Sequence, residues 1–581
     1  MPRKRVVYGN ANYADLVRKG GYFVDKTPYI AKLELVENPV YLRPRRFGKS
    51  TFCSLLNYYY DLNEAGRFEK LFGDTWIGQQ PTGTQNTYMI LYLNFSSVEV
   101  GTKIQEVEQN FRTICNSRLS ALVRQYAPRF ADLPELDRSA PVSNNMKQLL
   151  DFVQSERLPP LFVIIDEYDN FANQLITTDR DPLYYDLVAD GGGLKTFFKT
   201  LKEGREIGAI ANVFITGILP ITMDDLASAF NVATYLTLDA TFEAMAGFTQ
   251  PEVDHLLDQI YQDYPLDPAT RPEIRALIKN HYDGYHFVSH QNEPLYNATS
   301  LMYFLRELTE HGRPPQSLTD SNLRTDLHWV RRLTGSNSVN TGNLLEILNT
   351  ENRIRFSNDL LTSKFNLTQF FTPAFYPVSF FYLGMLTLLD DFSLTLPNVN
   401  MRKIFVEYFN EFHQIDVETR YKEIMSAFIN RPNLEQLFAG YWREYVSQLP
   451  EVIFQQVNEN FYRTTFYELC SRHLSRWFSW HLERSYPKGK SDLEFVGKYN
   501  ERFANLRWAI EFKYYSNTEF KKKFKTTIAA FHLQAEDTEQ VQGYAEGLRQ
   551  EFPGTHIECY VIYCIGNQGF RVFPVSSKRV H

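Results

Sequence analysis

Val40-Tyr41-Leu42-Arg43-Pro44-Arg45-Arg46-Phe47-Gly48-Lys49-Ser50-Thr51 decides the fold of the first half of this chain. A short apolar strand enters a basic loop, and Gly48-Lys49-Ser50-Thr51 opens a helix that runs to about Leu62. A phosphate cradle needs backbone N–H groups turned inward, an ammonium for the outer phosphates and a hydroxyl for Mg²⁺. It also needs a helix N-terminus, whose dipole favours anions. Lys49 supplies the ammonium and Ser50 the hydroxyl, with Gly48 and Thr51 flanking them. The general loop begins with Gly where this chain has Arg43, so the loop is stiffer and more basic than usual. Arg45 and Arg46 are close enough in sequence to touch phosphate, or to face a neighbouring subunit.

Working outward, strand-length apolar runs recur at Tyr88–Phe95, Leu161–Ile165 and Ala211–Thr216. Helical stretches such as Ile104–Tyr126 and Gly193–Lys202 separate them. Continuous apolar strands bounded by helices predict a parallel sheet buried on both faces. Leu161–Ile165 ends in Asp166-Glu167. Asp166 suits the Mg²⁺ shell, and Glu167 can polarise an attacking water. The run Ala211–Thr216 ends in a hydroxyl, Thr216, where a sensor of the γ-phosphate would sit. Together the three elements predict ATP–Mg²⁺ binding.

At the other end, Gly489-x-x-Asp492, Glu511-x-Lys513 and Gln540-x-x-x-Tyr544 form a second constellation. Trp508–Lys513 reads as a strand, so Glu511 and Lys513 share a face. Ser491–Gly497 reads as its antiparallel partner, with a turn near Tyr499–Ala504 centred on Glu501 and Arg502. Equal spacing from that centre sets Asp492 opposite Glu511, and opposed residues share a face. Two facing carboxylates repel unless a cation lies between them, so a divalent metal held by Asp492 and Glu511 is the natural reading. Gln540 and Tyr544, on one helix face, reach the same site or a nucleic-acid backbone. Glu468, on the helix that opens this unit, is a further candidate ligand.

The 581 residues suffice for roughly three to five domains, expected here at 1–225, 226–345, 346–450 and 451–581. The middle is expected to be helical, with Glu252–Gln262 and Pro272–His281 among its helices. One hairpin, Met385–Leu389 and Leu394–Leu396 about Asp390-Asp391, gives a winged-helix-like outline. The last unit is expected to open on a helix over Asn458–Leu482 and to close on a strand at His556–Ile565. No apolar run is long enough to span a membrane. Five cysteines at no metal-like spacing suggest reduced thiols and a cytoplasmic compartment. The net charge of −7 excludes broad coating of nucleic acid but permits a local basic groove, for which Lys521-Lys522-Lys523-Phe524-Lys525 is a candidate.

Nearly the whole chain resembles AAA-ATPase-like proteins of the STAND/P-loop ASCE kind that carry a C-terminal PD-(D/E)XK (RecB-like) nuclease domain. The resemblance rests on Tyr22-Phe23-Val24-Asp25-Lys26-Thr27, the Arg43–Ser50 loop, Ile164–Asp169, Tyr282-Asp283-Gly284-Tyr285-His286-Phe287 and Leu295-Tyr296-Asn297, and on the terminal motifs. It implies an ATPase coupled through a helical, winged-helix-like middle to a nuclease acting on DNA, with ATP and Mg²⁺, or Mn²⁺ at the nuclease centre. It also implies Asp492, Glu511, Lys513, Gln540 and Tyr544 as catalytic residues, a place in defence or mobile-element biology, and no membrane partner. Relatives often place His after the aromatic pair of the opening helix, where this chain has Glu468. Three alternatives stay open: a nucleotide switch whose terminal fold only binds nucleic acid or protein, a transposition factor, and assembly into homo-oligomers.

Overall fold

A computed structural model describes residues 3–189, 191–319, 329, 353–363, 366–372, 374–486, 489–498 and 501–575. The expected boundary at 345 and the turn residue Tyr499 lie outside them. The N-terminal sheet has five strands: β1 (Pro39–Leu42), β2 (Met89–Asn94), β3 (Leu161–Asp166), β4 (Ile210–Gly217) and β5 (Thr234–Tyr235). They run in the order β2-β3-β4-β1-β5, every pair parallel. All residues of β1 and β3 are buried, as a parallel sheet covered on both faces requires. The long helices Ile104–Tyr126 and Gly193–Glu206 follow β2 and precede β4. Strand β4 lies between the loop-bearing β1 and the acid-bearing β3, so all three motifs open at one edge of the sheet, as in other open α/β sheets.

The middle is helical, with Gln250–Asp263, Arg271–Tyr282 and Ala298–His311 packed about Leu257, Ile278 and Phe304. The helix Gln250–Asp263 opens on a capping box, Thr249 with Glu252, which satisfies orphan N–H groups at both positions. The expected hairpin forms between β7 (Thr387–Asp390) and β8 (Ser393–Thr395), and β6 (Ile354–Arg355) extends it to three strands. Helices Tyr376–Tyr382 and Val399–Phe412 flank it. Gly284, in the aromatic turn, has φ +99 and no room for a side chain: a Cβ would meet the Pro397 carbonyl oxygen at 2.0 Å. Both conditions select glycine.

The C-terminal sheet has strands β9 (Phe478–Tyr486), β10 (Gly489–Gly497), β11 (Leu506–Tyr515), β12 (His556–Ile565) and β13 (Gly569–Pro574). It is mixed, in the order β13-β12-β11-β10-β9. Helix Glu459–Leu474 covers one face through Phe466, and Ala535–Glu551 covers the other through Val541 and Tyr544. The expectation of a single helix over Asn458–Leu482 was wrong. The helix stops at Leu474, and Phe478–Leu482 turns into β9 because Phe478, Trp480 and Leu482 alternate with Ser479 and His481 at the strand period. No helix among the described residues is long and apolar enough to cross a membrane. The five cysteines are all buried and unpaired.

The two ends of the chain meet through the helix Arg271–Tyr282, which docks on β9. The Asn280 amide donates to the Leu482 carbonyl at 2.7 Å. Glu273 pairs with His481 at 2.5 Å, Arg507 at 2.7 Å and Arg484 at 3.2 Å.

Candidate functional site

Gly48 takes the left-handed conformation, φ +98, and the helix Lys49–Tyr60 starts immediately after it. The loop before it is braced from outside. Backbone N–H groups of Gly247 and Thr299 donate to the Phe47 and Arg46 carbonyls, at 2.8 and 3.0 Å. The Asn297 amide donates to the Arg45 carbonyl at 3.3 Å. Phe47 packs edge-on against Tyr285 and Phe287 of the aromatic turn, with centroids 5.0 and 5.2 Å away. Arg43 does not face a phosphate site. It is buried, donates to the Leu42, Thr237 and Glu243 carbonyls, and lies over the rings of Tyr41 and Phe287. An arginine replaces the usual glycine because it ties β1 to that turn.

Arg46, Gly48, Lys49, Ser50, Thr51 and Glu167 line a cleft of about 290 Å³ between the sheet edge and the helices that follow. The Lys49 ammonium donates to the Pro44 carbonyl at 3.0 Å and lies 4.0 Å from Glu167. Glu167 itself has φ +53, an uncommon state for a residue with a Cβ. Asp166 is fully buried, and one carboxylate oxygen accepts from Tyr92 and Asn94, at 3.1 and 3.2 Å. The other is buried without a hydrogen-bond partner in the protein. Burial raises the Asp166 carboxyl and the Glu167 charge adds to this, while Ser50 and Lys49 counter it. An orphaned buried carboxylate oxygen beside a serine hydroxyl and a lysine fits an Mg²⁺–nucleotide.

Thr216 departs from expectation. It is buried, and its hydroxyl donates to the Tyr41 carbonyl at 2.9 Å, so it is spent on holding β4 to β1 and does not line the cleft. The sequence assigns no role to Asp169, the last residue of the Ile164–Asp169 motif. Its carboxylate accepts from the Leu219 N–H at 2.7 Å and the Ile218 N–H at 3.1 Å, clamping the chain after β4.

At the C-terminal sheet, β10 and β11 pair with Leu493 opposite Ile510, which sets Asp492 opposite Glu511. One Glu511 oxygen accepts from Lys513 at 2.8 Å and from Gln540 at 2.7 Å; Tyr544 donates to the other at 3.5 Å. Lys513 also donates to the Gln540 side-chain oxygen Oε1 at 3.1 Å. The sequence-predicted Asp492, Glu511, Lys513, Gln540 and Tyr544 therefore converge. Gly489 has φ +148, with the Tyr544 ring at ordinary contact distance, so its backbone angle selects glycine more than a close approach does.

Glu468 is a correction. It is fully buried on the far side of the opening helix, where it accepts from Arg472 and Asn410. That helix carries two aromatic pairs, Phe461-Tyr462 and Phe466-Tyr467, five residues and so roughly 140° apart. The pair nearer the site is followed by Arg463, which donates to Asp492 at 2.8 Å. One turn earlier, Glu459 is close enough for the Asp492 charge to act on it. Crowding by the protein and that charge raise its carboxyl.

Burial, then the Asp492 charge, push Glu511 up to about 7, against the lowering effect of Lys513. A carboxyl raised in this way favours the folded state below its unfolded value, and loses that contribution as pH rises through about 7. A cation at this site must displace that proton. Mn²⁺ affinity, measured calorimetrically, should therefore climb roughly tenfold per pH unit below this value and level off above it. An affinity flat between about pH 5 and pH 8 would contradict the assignment. Two opposed carboxylates, one with an elevated pKa, fit a hard divalent cation.

Comparison with known proteins agrees with this geometry. Residues 7–227 match the family described as a predicted AAA-ATPase, and residues 457–573 match the PD-(D/E)XK nuclease superfamily. The chain thus joins an AAA-ATPase-like region to a C-terminal region of the PD-(D/E)XK superfamily. It is also similar to an "Uncharacterized protein in vnfD 5'region" from Azotobacter chroococcum mcd 1, with 24% identity over 317 residues, or 53% of each chain. The match spans about half the length of that relative.

Proposed function

We propose that the protein is an ATP-regulated, divalent-metal-dependent deoxyribonuclease. The observation that carries this reading is the row Asp492–Glu511–Lys513, two opposed acids and an ammonium on adjacent strands. Asp492 and Glu511 would hold Mg²⁺ or Mn²⁺, which when bound stabilises the charge that develops on the scissile phosphate. Lys513 is positioned to orient the attacking water, and Gln540 fixes Lys513 and Glu511 relative to each other. Exposed Lys521, Lys522 and Lys523, on the helix directly after β11, suit the flanking DNA backbone.

At the other site, Lys49 and Arg46 would meet the outer phosphates, Ser50 and Asp166 the Mg²⁺, and Glu167 the attacking water. The committed hydroxyl of Thr216 favours slow turnover, so ATP acts here more as a signal than as fuel. Purified protein should cut DNA with Mg²⁺ or Mn²⁺ and respond to ATP; no cutting under any metal would remove the nuclease reading. Lys49→Ala should weaken binding of a fluorescent ATP analogue more than about tenfold, since it deletes a charge-assisted contact. Unchanged binding would place the nucleotide elsewhere.

A further inference from the structure

The terminal sheet carries a row of three acids across three strands. The β10–β9 register, with Ser491 opposite Arg484 and Leu493 opposite Leu482, sets Asp492 opposite Glu483. The β10–β11 register sets the same Asp492 opposite Glu511. Like charges directly opposed destabilise a sheet, so each gap calls for a cation. The gap between Asp492 and Glu511 is the one assigned above to the metal. A side chain fills the other.

That side chain is Arg463, 2% exposed on the helix Glu459–Leu474. One guanidinium nitrogen lies 2.8 Å from Asp492 Oδ1, and the other lies 2.7 Å from Glu483 Oε1 and also donates to Asn460. A buried guanidinium persists only where anions and acceptors meet its fork. Glu483 is itself held in place: its second oxygen lies 3.4 Å from Arg402, on the helix Val399–Phe412, and 3.3 Å from Lys490. Its φ is +56, a backbone state that a residue with a Cβ keeps only when its surroundings impose it. Asp492 Oδ2 accepts the Phe512 N–H at 2.8 Å. Asp492 is therefore gripped from two sides, one bond on each oxygen, and each oxygen keeps a further lone pair.

Resting on the metal-dependent nuclease reading, we propose that Arg463 is the positioning residue of this centre. Fixed by Glu483, it aims Asp492 across β10 at the gap before Glu511 and keeps the divalent ion out of the gap behind. Its role depends on the geometry of the fork and not merely on its charge. Charge-conserving substitutions separate the two.

The test is a Mn²⁺ titration of the full chain, followed calorimetrically and by electron paramagnetic resonance, with thermal unfolding recorded alongside. Arg463→Lys keeps the charge but cannot bridge both acids. Glu483→Asp keeps the charge but withdraws the anchor. Each should weaken Mn²⁺ binding about 10- to 100-fold, as loss of an outer partner of a metal ligand does. Affinity equal to wild type in both variants overturns the positioning role, and if Arg463→Lys fails to fold, Glu483→Asp decides alone. Asp492→Asn is the control. Undiminished Mn²⁺ binding there overturns the metal centre itself, whereas loss there beside unchanged Arg463→Lys and Glu483→Asp overturns only the proposal about Arg463.

Discussion

Lys513→Ala should lower the rate of DNA cleavage by about 10²–10³-fold, the usual cost of deleting a group that orients and activates the attacking water. The metal centre should survive the change. Glu511 keeps Gln540 and Tyr544 as partners, and neither Asp492 contact involves Lys513. The loss should therefore fall on kcat, with Mn²⁺ affinity changing only a few-fold, and ATP binding should be untouched. Asp492→Asn should remove both affinity and rate. A Lys513→Ala enzyme that cuts at the wild-type rate would assign the chemistry to other residues.

The second large effect concerns the junction between the two ends of the chain. Glu273, on the helix Arg271–Tyr282, is met by His481, Arg484 and Arg507 from the terminal sheet. Burial alone would raise its carboxyl, yet His481, Arg507 and Arg484 beside it hold it well below the usual range. The Glu273 side chain keeps 21% exposure, so Glu273→Ala should cost about 2–3 kcal/mol, below the usual cost of removing one partner from a fully buried ionic group. Glu494 retains Arg507 at 3.2 Å and stands 3.9 Å from Arg484, but His481 loses its only carboxylate among the described residues. Because the Glu273 carboxyl is depressed, its contribution is present above the unfolded value and disappears as pH falls through the folded one. Thermal unfolding of wild type and Glu273→Ala should therefore converge in acid. A constant difference between them at all pH values would mean that packing, not charge, is what the substitution removes.

The same helix continues into the aromatic turn whose Tyr285 and Phe287 enclose Phe47 of the phosphate loop. A nucleotide that shifted the loop would act on an element that ends at β9. The proposed ATP control of the terminal site would then have a physical route, since packed contacts of this kind are the material from which coupling is built.

Local patterns made much of this legible in the sequence. The parallel sheet followed from apolar runs bounded by helices, and the opposition of Asp492 and Glu511 from their equal distance to a turn, because strand register is arithmetic. Features that depend on what packs against a residue were not readable. Phe466-Tyr467-Glu468 and Phe461-Tyr462-Arg463 look alike in a linear text, and only the helix rotation decides which third residue reaches Asp492. Thr216 ends its strand as a sensor would, yet its hydroxyl turns to Tyr41 of the neighbouring strand. Arg43 reads only as a departure from the usual glycine, and its role shows once its three carbonyl partners are seen. The end of the helix at Leu474 was missed because an aromatic-rich segment satisfies either period over a short window.

The most direct measurement is anomalous scattering from a crystal of the full chain soaked in Mn²⁺. The account predicts one peak in the terminal domain, about 2.1 Å from carboxylate oxygens of both Asp492 and Glu511, with Arg463 still paired to Asp492. A peak between Asp492 and Glu483, or none near β10 at saturating metal, would contradict it.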